Sequence, residues 1–201
     1  MKRFFLVTTT LLLGAWLAGA SEAQNRKAAP DFTAKDLDGK EYKLSDLKGK
    51  IVVLEAYNLD CPFCANHFKS GAMQELQADL TSKGAVWLLV NSTHPRSPSY
   101  RSTEAAKQEI DKHGIKATAW INDSTGKLGK LYELKTTPHM VVIDKQGRIA
   151  YEGAIDDRAE ASGDPRQARN YVGEAVTALL AGKEVAVAKT KPYGCGIKYA
   201  N

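Results

Sequence analysis

From Pro30 onwards the apolar positions change period in a regular order. Phe32-Thr33-Ala34 and Tyr42-Lys43-Leu44 lie either side of Asp38-Gly39, a turn dipeptide, and predict a hairpin. Ile51-Val52-Val53-Leu54 is an unbroken aliphatic run of the kind that suits a central strand covered on both faces. A helical period follows, with Ala65, Phe68, Ala72, Met73, Leu76 and Leu80 on one stripe, and predicts a single helix over residues 62–82. Residues 85–90 predict a second buried strand, which closes a βαβ unit. Beyond a loop holding Pro95 and Pro98, a mostly polar helix is expected over residues 103–113, stopped by Gly114. A shorter helical stretch is expected over residues 127–134, then a hairpin of residues 140–143 and 149–151 around Lys145-Gln146-Gly147. A last helix over residues 168–180 ends before Gly182, and residues 183–201 read as a tail.

The first 29 residues have another character. Lys2 and Arg3 precede a stretch from Phe4 to Ala18 that is apolar except for three threonines, and Ala18-Gly19-Ala20 has the small-x-small form of a signal-peptidase site. Residues 1–20 are therefore expected to be a signal peptide and residues 21–29 a polar leader, with an uncleaved anchor helix as the rival reading. The expected location is the periplasm or the exterior, an oxidising compartment, without stable membrane association after cleavage.

Composition narrows the class. With 43% hydrophobic and 25% charged residues in 201, the chain is built like an ordinary globular protein, and residues 30–182 suffice for one domain. A net charge of +5 without a long basic tract gives no footing for nucleic acid. Three cysteines are too few for a disulfide scaffold, and two of them form a close pair.

That pair, in Cys61-Pro62-Phe63-Cys64, carries the chemistry. Cysteines at i and i+3 at the start of a helix lie within disulfide reach. The first of them meets unpaired N–H groups and the positive end of the helix dipole, both of which favour the nucleophilic thiolate. Pro62 fits the first helical turn. The rival readings are a structural disulfide, which staples little across four residues, and half of a zinc site, which needs two more ligands.

Ile51 to Cys64 resembles the active-site strand and helix start of the thioredoxin superfamily, and residues 30–181 resemble its redoxin branch of thiol-disulfide oxidoreductases and peroxiredoxin-like proteins. The resemblance implies an α/β, thioredoxin-like fold: a central mixed sheet with helices on both faces, here with an N-terminal hairpin extension. It implies that Pro138 is cis, and that Thr137 and Pro138, with Phe63, hold an incoming peptide as an extra strand. Glu55 stands six residues before Cys61, where thioredoxins carry the buried acid that takes the proton of the second cysteine. Its place after an aliphatic run independently predicts a raised pKa; the rival is a strand-end carboxylate paired with a lysine in solvent.

The chain also departs from the family. Asp60 stands in place of the usual tryptophan, and its charge is expected to oppose thiolate formation at Cys61. Pro-Phe is neither the Gly-Pro nor the Pro-His of the best-known variants. Peroxiredoxins carry proline and threonine or serine where this chain has Val53 and Asn58, which makes peroxide reduction through Cys61 the weaker alternative. A copper-binding chaperone is a further alternative, with His139 and His67 approaching the sulfurs; the plain readings are a strand residue for His139 and a solvated helix face for His67. No organic cofactor and no metal are expected, because the dithiol itself carries two electrons, and the expected partners are protein dithiols or disulfides together with a redox partner that the sequence does not name. Cys61 is expected to be partly exposed and Cys64 enclosed beneath it. Cys195, between Gly194 and Gly196, is the odd cysteine, and the tail around it resembles a Gly-Cys segment of some redoxin-branch proteins. Three readings stay open for it: exchange with the CxxC, an intermolecular disulfide, or an inert packed thiol.

Overall fold

The structure, a computed structural model, describes residues 26–200. The expected signal peptide and most of the polar leader lie outside the described residues. Strands β1 (Thr33–Lys35) and β2 (Glu41–Lys43) form the expected hairpin, with Ala34 opposite Tyr42. The other strands are β3 (Val52–Ala56), β4 (Val86–Asn91), β5 (Ala119–Asn122), β6 (Thr136–Thr137), β7 (His139–Ile143), β8 (Ile149–Gly153) and β9 (Cys195–Gly196). The helices are α1 (Pro62–Lys69), α2 (Ala72–Ser82), α3 (Thr103–His113), α4 (Lys127–Leu131) and α5 (Tyr171–Leu180).

The central sheet has the order β5-β4-β3-β7-β8. Its first three strands run parallel, β7 runs antiparallel to β3, and β8 antiparallel to β7. The sheet is mixed and the fold is α/β and thioredoxin-like. Alternation sorts the side chains of β3 between two cores. Ile51 and Val53 pack with Trp87, Met140, Phe68 of α1, Met73 and Leu80 of α2 and Val172 of α5. Val52, Leu54 and Ala56 pack on the other face with Phe32, Tyr42, Leu128 and Tyr132. The N-terminal hairpin thus covers the face that α4 is too short to close. Truncating a fully buried side chain such as Leu80 or Phe68 to alanine is expected to cost about 2–5 kcal/mol.

Four elements differ from the sequence reading, the first being α4, which stops at Leu131 rather than residue 134. The single helix expected over residues 62–82 is two, α1 and α2, broken at Ser70-Gly71, where Gly71 takes a left-handed φ of 81°. Arg166 donates to the Ser70 carbonyl at 2.7 Å and so satisfies the end of α1. The last helix starts at Tyr171 instead of residue 168, because Asn170 caps it by accepting from the Gly173 N–H. The sheet also gains β5, an edge strand of four residues whose pattern is too short to separate from a loop. Helix α3 ends as expected, its Gly114 cap at a φ of 58°.

The tail is no loose end. β9 pairs antiparallel with β6, Thr137 opposite Cys195 and Thr136 opposite Gly196.

Candidate active site

The site forms where β3 gives way to α1. The Asn58 side chain accepts from the Asp60 N–H at 2.9 Å and its carbonyl from the Cys61 N–H at 3.1 Å, a turn that delivers Cys61 to the N-cap. Pro62 begins the helix, and Cys64 lies one turn further in. The Thr137–Pro138 bond is cis, and the Thr137 carbonyl lies 2.8 Å from Cys61 Sγ. The structure therefore brings Cys61, Cys64, Thr137, Pro138 and Cys195 to one place, with Phe63 on the rim and Glu55 beneath.

Cys61 is not partly exposed: it is 3% exposed, because the tail lies over it. Hydrogen bonds from the Cys64, Cys195 and Thr137 side chains, joined by the Cys64 backbone N–H, outweigh burial and pull the Cys61 thiol from 9.0 down to about 4. The Thr137 carbonyl works the other way, since it accepts only from the thiol form. Asp60, expected to oppose the thiolate, is neutralised: Arg101 Nη2 meets its carboxylate at 2.7 Å and holds the Asp60 pKa below its ordinary value. Cys64 behaves oppositely. Burial, the bond it gives to Cys61 and the neighbouring Glu55 push its thiol well above 9.0.

Glu55 lies in the interior of β3, fully buried, opposite Leu89 on one side and Met140 on the other. Burial raises its pKa from 4.5 to about 8, against donors from Trp87 Nε1 at 2.8 Å and Gln77 Nε2 at 3.2 Å. Both donors reach Oε2, and Oε1 is buried with no hydrogen-bond partner among the described residues. A lone carboxylate oxygen in that position favours the protonated acid at neutral pH. The solvent-exposed, lysine-paired alternative does not hold.

The two histidines do not reach the sulfurs. His139 Nδ1 accepts from the Lys135 N–H at 3.0 Å, and burial lowers its pKa to about 4. His67 is buried rather than solvated, its Nε2 3.3 Å from the Tyr193 hydroxyl and 3.7 Å from Asp156. Among the described residues no group of three or more His, Cys, Asp or Glu side chains could hold a metal ion. The sequence reading missed Trp87, Gln77, Arg101 and Tyr193. Only Trp87 had a usable signal, since it falls on the same face of the sheet as Glu55.

A cavity of about 190 Å³ opens beside Cys61, lined by Asn58, Ser92, Thr93, Thr137, Cys195 and Lys198 among others. The AhpC/TSA family model matches residues 26–152. The chain belongs to that family. Membership puts it in the redoxin branch of the thioredoxin superfamily. Thiol-disulfide oxidoreductase ResA of Bacillus anthracis is 28% identical over 138 residues, which are 69% of this chain and 74% of that protein. An uncharacterized conserved protein of Geobacillus kaustophilus superposes with a TM-score of 0.75 at 27% identity, over 87% of this chain and 92% of its own. A hypothetical protein of Sinorhizobium meliloti 1021 has the same fold, with a TM-score of 0.75 at 22% identity over 87% of this chain and 94% of its own. The enzyme class is that of the thioredoxin-like oxidoreductases.

Proposed function

We propose that the protein is an exported thiol-disulfide oxidoreductase that exchanges disulfides with protein thiols through Cys61 and Cys64. The observation that carries this reading is the placement of the pair: Cys61 at the N-cap of α1 against the cis Thr137–Pro138 bond, and Cys64 buried one turn further in, its thiol pushed up by burial and by the nearby buried Glu55. In the reducing direction the Cys61 thiolate attacks a substrate disulfide. That bond breaks, one substrate sulfur leaves as a thiolate that takes a proton from water, and a Cys61–substrate disulfide forms. Glu55, once ionised, takes the Cys64 proton. The Cys64 thiolate attacks Cys61 Sγ, the Cys61–substrate bond breaks, and the second substrate sulfur leaves as a thiolate that takes a proton from water, leaving a Cys61–Cys64 disulfide and two electrons in the substrate. The reverse sequence oxidises a dithiol, and the reduction potential of the partner sets the direction. The dithiol carries the electrons, so the step calls for no organic cofactor.

Thr137 and Pro138, with Phe63 on the rim, would receive the substrate segment along β6. Export rests on the apolar stretch of residues 4–18 and its small-x-small end. Among the described residues no helix is long and apolar enough to cross a membrane. The test is trapping: Cys64→Ala, with Cys195→Ser so that no other thiol of the chain releases the partner, is expressed with its leader, and proteins disulfide-linked to Cys61 are identified. A defined set of cysteine-bearing proteins is expected. None, together with rapid peroxide consumption by the wild type, would favour peroxide reduction instead.

A further inference from the structure

The tail occupies the edge that an incoming segment would need. Cys195 stands opposite Thr137 in the β6–β9 ladder, and its N–H donates to Cys61 Sγ at 3.4 Å. All three cysteines are free thiols, and the Cys195 thiol also hydrogen-bonds Cys61. The segment is held on both sides of that point. Before it, the Tyr193 hydroxyl donates to Asp156 at 2.5 Å, and the Tyr193 ring packs on Phe63, with centroids 5.8 Å apart. After it, the His94 N–H donates to the Lys198 carbonyl at 2.8 Å, and the Tyr199 hydroxyl to the Leu134 carbonyl at 2.9 Å. Gly194 has a φ of 119°, and a Cβ there would lie 2.1 Å from the Thr137 carbonyl oxygen. The approach is thus a close main-chain pairing that only a glycine before the cysteine permits.

We propose that residues 190–200 are a tethered substrate mimic. The segment covers Cys61 in the reduced protein, and in the oxidised protein Cys195 exchanges with the CxxC to form an internal Cys61–Cys195 disulfide. The external substrates are then extended segments with a glycine before a cysteine, and they bind by displacing the tail. The proposal rests on the exchange reading above and needs no added oxidant. Beginning from the Cys61–Cys64 disulfide, Cys195 gives its proton to water and its thiolate attacks Cys61 Sγ. The Cys61–Cys195 bond forms as the Cys61–Cys64 bond breaks, and Cys64 leaves with the proton of the Glu55 carboxyl, which regains one from water. One disulfide replaces another, and the net change is a proton moved from Cys195 to Cys64.

The test uses the full chain, wild type and two variants. Gly194→Val forces the strand away from Thr137, whereas Cys195→Ser keeps the strand and removes only its sulfur. The probe is the disulfide-linked dimer of a capped Gly-Cys-Gly peptide. A tethered competitor reduces the fraction of binding-competent protein, so Gly194→Val is expected to reduce the probe about tenfold faster or more than Cys195→Ser, which keeps the covering strand. Peptide mapping of oxidised wild type under non-reducing conditions needs no variant, and is expected to find Cys61–Cys195 within one chain beside Cys61–Cys64. Cys61–Cys64 alone with a free Cys195, or equal probe rates for wild type and Gly194→Val, overturns the proposal and leaves the exchange reading intact. Failure of all three proteins to reduce the probe overturns the exchange reading, and this proposal with it.

Discussion

Cys61 and Cys64 belong to the same turn of one helix, yet their surroundings drive the two thiols apart. At the mouth, Cys61 collects donors: the thiols of Cys64 and Cys195, the Thr137 hydroxyl and the Cys64 N–H. On the floor, Cys64 has a buried carboxyl for a neighbour and gives its own hydrogen bond away. The spacing of the two cysteines makes a disulfide feasible, but it does not decide which sulfur attacks. Roles follow from which groups face each sulfur.

The sharpest break of this contrast is removal of each sulfur in turn. Cys61→Ser should lower disulfide reduction by at least about a thousandfold, because it deletes the nucleophile. With Cys195 also replaced by serine, Cys64→Ser should keep the first attack and stall afterwards, so that mixed disulfide accumulates in a quenched time course. Equal losses without mixed disulfide would erase the distinction between mouth and floor.

Glu55→Gln comes next. It keeps an acceptor for Trp87 and Gln77 but cannot take a proton, so resolution should slow about a hundredfold at pH values above the Glu55 midpoint of about 8, and less below it. The same variant has a stability signature. The folded pKa of about 8 exceeds the ordinary 4.5, so both states hold the proton in acid. As pH rises through that window the unfolded chain ionises first and the wild-type fold loses stability, fully so above the folded pKa. At about 1.4 kcal/mol per unit, Glu55→Gln should gain a few kcal/mol relative to wild type between acid and alkaline pH in urea unfolding. A pH-independent difference would mean that Glu55 titrates normally.

A smaller effect is expected on the floor from Gln77→Met. It removes one donor to Oε2 and should raise the Glu55 midpoint further, read as a shift in the pH profile of resolution. The smallest is expected at the mouth from Arg101→Met. Freeing the Asp60 charge should raise the Cys61 midpoint by less than about one pH unit, since Asp60 is close to solvent. A larger rise would show that the Asp60–Arg101 pair, and not the thiol donors, governs Cys61.

The floor was more legible in the sequence than the mouth. A continuous aliphatic run interrupted by one acid says that Glu55 is enclosed, and the order strand, CxxC, helix orients the pair. What covers the mouth left no periodic signal. The tail is held by main-chain pairing at Thr136 and Thr137, by the Gly194 approach and by hydroxyls of tyrosines whose partners lie far away in sequence. Exposure of Cys61 was misjudged for that reason, and the Asp60 charge because its counter-ion, Arg101, arrives from the loop before α3. The break between α1 and α2 was hidden because the apolar stripe continues in register across Gly71.

The most direct test of the account is a thiolate titration, in which ultraviolet absorbance of the reduced full chain is followed against pH and compared with Cys61→Ser. The account predicts a single-thiolate step centred near 4 that disappears in Cys61→Ser, with Cys64 silent up to and beyond its ordinary 9.0. A Cys61 step at 9.0, or an acid step that survives in Cys61→Ser, would contradict it.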